Sequence, residues 1–387
     1  MALTKIALDS ARQQKAQEYN KLSRRLLFLE LGISILLLLV LLFTGTSAML
    51  ASLLTFPFPW AASLYLLILA LGFGVIMSPL SYYQDFVLPH RYGLSTQALS
   101  HWLRDRAKAS ALGLLLGLCL VIIIYGLMEY LPTLWWLVST LTMILLSLLL
   151  TWLTPTFLIP LFFKLKPLDE GELKGKLLNL TKRARVNIKN VLTMNLSSKA
   201  TTANAMLSGW GKSRRVIISD TLLQGYSHDE IEATLAHELG HHLHHDIAKL
   251  MAIQAVIFLL ALYLTNLALK AGVVLFSLQG INDLAGLPWL ILVLAGFILI
   301  SQPLLNWYHR RIELAADKAA LELSNNPQAF IDLMTKLTDQ NLSEAEPSKW
   351  VKLLFYDHPT YNERIKLAHD YVVIASRSPE RSEGAAK

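Results

Sequence analysis

The sequence predicts a mainly α, multi-pass membrane protein with about six transmembrane helices and one hydrophilic α+β block. Three observations carry that expectation. Of 387 residues, 54% are hydrophobic and only 16% charged, a balance too apolar for an ordinary soluble chain. Six apolar runs recur along the chain, most of them long enough to cross a bilayer. Of the 35 Lys and Arg, all but Lys270 cluster before the first run, between the second and third, between the fourth and fifth, and after the sixth. By the positive-inside rule the N-terminus, the middle hydrophilic block and the C-terminus then face the cytoplasm. The same distribution accounts for the net charge of +7 as topology, so no nucleic-acid partner is expected.

Taken in order, Lys5 to Arg25 reads as an amphipathic lead-in to the first span, Leu31 to Phe43 with an extension back to Leu26. No small-residue cleavage site follows, so the span is expected to be retained. The turn Phe56-Pro57-Phe58-Pro59-Trp60 reads as an interfacial anchor before the second span, Trp60 to Met77. Tyr82 to Thr96 is aromatic and polar, as an interfacial belt would be. The third span, Ala109 to Met128, holds Cys119, the only cysteine, which excludes an intrachain disulfide and a cysteine metal site. The fourth, Leu134 to Phe157, meets Pro155 and Pro160, where a kink or early exit is expected. Beyond Lys164, Glu172 to Ala184 reads as a helix, and Val191 to Leu196, Ala203 to Leu207 and Arg215 to Ser219 read as strands of a small antiparallel sheet. Asn204-Ala205-Met206 either forms a free edge that holds an extended peptide or is only turn and core. The last two spans are Ile253 to Leu269 and Leu287 to Trp307, the sixth running on to Asp317 and ending at Asn325-Asn326-Pro327. Thr360-Tyr361-Asn362-Glu363 is a capping-box pattern opening a final helix, and Ser376 to Lys387 reads as a disordered tail.

One stretch specifies a chemistry. Ser227-His228-Asp229-Glu230 is a capping box, and Ile231, Leu235 and Leu239 follow at helical spacing. On that helix His237 and His241 lie one turn apart, so two imidazoles reach one metal ion with Glu238 beside them as general base. This is the H-E-x-x-H pattern of zinc peptidases, and it makes the hydrophilic block a zincin-like catalytic domain. His241 and His245 share the same spacing but lack the glutamate. A third ligand must come from elsewhere: Glu313 lies on a helix, with Asp317 one turn later to orient a ligating histidine. A solvated face in which both pair with Arg310, Arg311 or Lys318 is the plainer alternative. His358 precedes Pro359 in a non-helical approach, and Arg364, a cation in a first helical turn, calls for an acidic partner.

Several separated motifs together make the chain resemble the type I CAAX prenyl protease family of integral-membrane zinc endopeptidases over nearly its whole length. They are Gly93 to Thr96, Pro160 to Phe162, Pro167 to Leu173, Asn204-Ala205 with Gly209, Ser219 to Leu223, the His237 to His241 helix, Arg310 through Glu313 to Asp317, and His358-Pro359-Thr360 with Arg364. The resemblance implies one Zn2+ per chain, Glu313 as third ligand and Asp317 behind the histidines. It further implies Asn204 and Ala205 as the substrate-binding edge, and His358 with Arg364 near a developing oxyanion. It also implies spans that enclose a chamber in the membrane. Six spans where eukaryotic members have seven, and a short tail without a retrieval signal, point to a prokaryotic-type member in a cell membrane. Residues 1–163 are then a membrane domain of four spans, and residues 164–387 a metalloprotease domain with two more, at about 250–270 and 287–307. The expected function is hydrolysis of peptide bonds, in peptides or membrane proteins, near the cytoplasmic face of a lipid bilayer. A catalytically silent membrane scaffold or quality-control adaptor is the alternative.

Overall fold

In the computed structural model, residues 7–209 and 214–377 are described. The expected tail therefore lies outside the described residues from 378 onward. Six helices are long and apolar enough to span a membrane: Ser10–Phe43, Trp60–Arg91, Leu99–Tyr130, Trp135–Phe162, Asp246–Leu275 and Leu284–Ser324. They contain the six apolar runs, save for Leu134, which precedes the fourth helix as its N-cap. The expected break near Pro155 and Pro160 takes the form of a π-helical turn, Thr154–Leu158, inside a helix that continues to Phe162. A second π-helical turn, Tyr83–Val87, carries the second spanning helix on through the aromatic segment to Arg91. Proline removes a backbone donor, and the wider turn absorbs the loss without ending the helix.

The hydrophilic block holds a four-stranded sheet of order β1-β2-β4-β3. Its strands are β1 (Leu165–Pro167), β2 (Asn190–Met194), β3 (Ala205–Ser208) and β4 (Arg215–Ser219). The expectation of an antiparallel sheet is corrected: β2 and β4 run parallel, Asn190 opposite Arg215 through Met194 opposite Ser219, while β1–β2 and β3–β4 are antiparallel. The cause is the hairpin direction. The chain leaving β2 crosses to the far edge, forms β3, and returns at Gly209 (φ 100) as β4, which inserts beside β2. Val216 and Ile218 face a core shared with Leu177, Leu180, Ile231, Leu235 and Leu239, and Ile217 faces Leu192 and Met194 on the other side. Burial on both faces suits a strand at the centre of the sheet.

The motif helix, His228–Leu243, begins at a complete capping box between Ser227 and Glu230. It packs on the sixth spanning helix through Gly240, where an added Cβ would meet the backbone of Ala316 at 3.0 Å. Small residues on both sides bring the two backbones together. The first helix does not stop at the membrane: its lead-in lies along the hydrophilic block, with Gln13 Nε2 donating to Asp339 Oδ1 at 3.0 Å and Arg24 paired with Glu344 at 2.6 Å.

Candidate metal centre

Each part of the centre is placed by a different element. His237 and His241 stand on one face of the motif helix, their Nε2 atoms 3.1 Å apart. The sixth spanning helix, held close by Gly240, presents Glu313 to both, with Oε2 3.3 Å from His237 Nε2 and Oε1 3.4 Å from His241 Nε2. These ligand atoms all lie within 4.8 Å of one another. Behind them, His237 Nδ1 lies 2.9 Å from Asp317 Oδ1 and His241 Nδ1 lies 3.1 Å from Asp246 Oδ2. Both rings therefore turn one nitrogen to a carboxylate and the other to a common point.

These residues fit a divalent cation. Glu313 Oε2 is buried and has no hydrogen-bond partner among the described residues. A tetrahedral ion with bonds of about 2.0–2.1 Å sets its ligands about 3.3 Å apart, which the three separations approach. Without a cation, burial opposes protonation of His237, but the contacts with Asp317 and Glu313 outweigh it and raise the imidazole to about 10. A positive charge at this point, whether proton or metal, is what the surrounding carboxylates favour. His245 takes no part: it adopts a left-handed conformation (φ 55) that ends the motif helix.

A cavity of about 680 Å³ opens on the centre, lined among others by Asn204, Ala205, His237, Glu238, His358 and Arg364. β3 is the edge strand beside it. The backbone N–H of Leu207, on the open side of that strand, donates to Glu238 Oε2 at 3.2 Å. Asn204, just before the strand, is tied to β4 through Ser219 and leaves its side chain exposed. His358 Nε2 lies 3.4 Å from Glu313 Oε1, and the hydrogen bond with Asp357 at 2.8 Å raises its pKa. Arg364 finds the acidic partner that its place in a first turn calls for: Nε and Nη2 bind Asp317 at 2.7 Å each, with Glu313 at 3.6 Å. The structure thus brings His237, His241, Glu313 and Asp317 together, with Asn204, Ala205, Glu238, His358 and Arg364 around the adjoining cavity, and leaves His245 outside. The plainer reading of Glu313 and Asp317 as a solvated face does not hold, since they are 7% and 0% exposed.

Asp246 is the residue that sequence reasoning missed. Five positions from His241, it does not share a helical face with it. The left-handed turn at His245 swings it back, and Lys249 at 2.9 Å holds its other oxygen. The one available signal was an acidic residue directly after the histidine run.

Residues 167–372 match peptidase family M48, and residues 3–164 match the CAAX prenyl protease N-terminal family, described as five membrane helices. Among the described residues this segment has four spanning helices and a short helix, Thr46–Leu53. A CAAX prenyl protease 1 homolog of Oryza sativa is 31% identical over 76% of this chain and 69% of its own length. A metalloprotease of Bacillus subtilis is 28% identical over 91% of this chain and 84% of its own length. In fold, the crystal structure of S. mikatae Ste24p superposes with a TM-score of 0.83 at 22% identity, covering 94% of this chain and 92% of that one. Spanning helices, a cluster of metal-ligating groups and these matches define an integral-membrane metalloprotease. The chain belongs to peptidase family M48, together with the CAAX prenyl protease 1 proteins.

Proposed function

We propose that the protein is a zinc endopeptidase that cleaves peptides or membrane proteins at the cytoplasmic face of a prokaryotic cell membrane. The observation that carries this reading is the convergence of His237, His241 and Glu313 within 4.8 Å beside Glu238. Two imidazoles and one carboxylate, with room for a fourth group, suit zinc. When bound, the metal supplies Lewis acidity, acidifying water and polarising the scissile carbonyl. The chain's own residues do the rest. The open edge of β3, with Asn204 and Ala205, holds the peptide extended by strand addition. Glu238 takes a proton from the attacking water and returns it to the leaving amine. His358 donates to the oxyanion of the tetrahedral carbon. Arg364 fixes Asp317, which fixes the His237 ring. In this reading residues 1–163 form the membrane domain and residues 164–387 the protease. The C-terminal sequence of a prenylated protein, which the relatives' names indicate, is one substrate class to present.

The test uses the full chain in lipid, with zinc content measured alongside cleavage of an internally quenched peptide. Wild type should carry one zinc and cleave. Glu238→Gln should keep the zinc and lose activity by about 10²- to 10⁴-fold. A metal-free wild type, or an unimpaired Glu238→Gln, would end the proposal.

A further inference from the structure

The sixth spanning helix does more than present Glu313. Gln302, Asn306, Arg310, Glu313 and Asp317 fall within about 80° of its circumference, forming one polar stripe. The upper part of this stripe makes the metal site, and the lower part holds another segment of chain. Gln302 Nε2 donates to Asn306 Oδ1 at 2.9 Å, and Asn306 Nδ2 donates to the Leu354 carbonyl at 2.7 Å. Arg310 Nη1 donates to the carbonyls of Lys352, at 3.0 Å, and Tyr356.

Arg310 is 9% exposed, and its described partners are neutral carbonyls rather than carboxylates. A guanidinium buried on those terms is costly, and the site has to compensate. The compensation is the C-terminal end of the helix Lys349–Phe355, where a cation is favoured: the Lys352 carbonyl, which already accepts from the Tyr356 N–H at 3.3 Å, also takes Arg310, and the Tyr356 carbonyl just past the helix takes it as well. His358 follows two residues later. Its side chain is 57% exposed, so its own packing does little to fix it. The far end of the segment is anchored by the Thr360 N–H on Glu363 at 2.9 Å, and Lys352 Nζ donates to Glu363 at 2.5 Å, tying that end back to the helix that Arg310 holds. Arg310 anchors the near end.

We propose that Arg310, supported by Asn306, is a positioning residue for peptide hydrolysis: it holds the segment 356–360 so that His358 faces the reacting carbonyl. This rests on the peptidase reading above. A single helix would then carry the third metal ligand, Glu313, and three residues earlier Arg310, which sets the oxyanion donor.

The experiment uses the full chain in lipid nanodiscs, loaded with zinc, as wild type, Arg310→Met, Arg310→Lys, Asn306→Leu, His358→Ala and the double variant Arg310→Met/His358→Ala. Two readouts are taken: hydrogen exchange of segments 352–360 and 237–241, and kcat and KM on a quenched peptide. Arg310→Met should speed exchange in 352–360, leave 237–241 and the zinc content unchanged, and lower kcat by about 100-fold with little change in KM. Arg310→Lys should recover part of the loss. The double variant should be no slower than His358→Ala alone, because Arg310 acts through His358. Unchanged exchange in 352–360, or losses that multiply in the double variant, overturns the proposal. If Arg310→Met fails to fold or loses zinc, Asn306→Leu decides: faster exchange in 352–360 with a lowered kcat supports the anchor, and wild-type behaviour overturns it. A wild type that shows the expected exchange differences from its variants but cleaves no peptide rejects the peptidase reading instead.

Discussion

In the proposed metal site, the histidines are set by the carboxylates behind them. Asp246 is 2% exposed and meets His241 at 3.1 Å, so Asp246→Asn should weaken zinc by about 10- to 100-fold, read by competition with a chromophoric chelator. Wild-type affinity in that variant would show that His241 is oriented by something else. The pH dependence follows from His237, whose pKa rises from 6.5 to about 10 when burial is outweighed by Asp317 and Glu313. The proton's contribution to the stability of the metal-free protein is therefore complete below about 6.5 and is lost as pH rises through about 10. Zinc must displace that proton, so the stabilisation added by zinc should grow with pH across this window. Thermal unfolding with and without chelator from pH 6.5 to 10 checks it, and a gap that shrinks towards high pH contradicts it. Most of this chemistry was legible because His237, Glu238, His241, Glu313 and Asp317 obey helical spacing. Asp246 was not, because its approach depends on one residue with positive φ.

Helix packing gives a sharper contrast. Gly240 and Gly175 are both helical glycines, but a Cβ on Gly240 would meet Ala316 and Ala319 at 3.0 Å, whereas one on Gly175 would meet nothing within 4 Å. Gly240→Ala should destabilise by about 1–3 kcal/mol and weaken zinc, since it pushes apart the two helices that share the proposed ligands. Gly175→Ala should stabilise by about 0.5–1 kcal/mol. Denaturant unfolding of the two variants separates the cases, and shifts of the same sign would refute the packing argument. Local pattern disclosed the strands β2, β3 and β4 but not their arrangement. Parallel pairing of β2 with β4 joins residues about 25 apart, such as Asn190 and Arg215, and has no local signature. β1 was hidden for another reason: three residues that include Pro167 offer no alternation to read.

Across the whole molecule, the six spans were plain from composition, while the docking of the first helix on the hydrophilic block was not. Lys5 to Arg25 read as a lead-in, and nothing local to it pointed to Asp339 or Glu344 as partners. The proposed orientation is testable with the lone cysteine removed as Cys119→Ser. A cysteine at Gln279, between the fifth and sixth spans, should react with an impermeant maleimide from outside intact cells. One at Glu170, between β1 and the helix Glu172–Arg183, should react only after the cells are opened. The reverse pattern would invert the topology.

The division of the metal ligands between the motif helix and the sixth spanning helix also bears on biogenesis. During synthesis the two histidines emerge well before Glu313, and Glu313 reaches them only when its helix packs against Gly240. On the proposed ligand set, a ribosome-bound chain halted at Gln302 should hold zinc far more weakly than the finished protein. Threading of the last hydrophobic segment is then the event that completes the proposed ligand set.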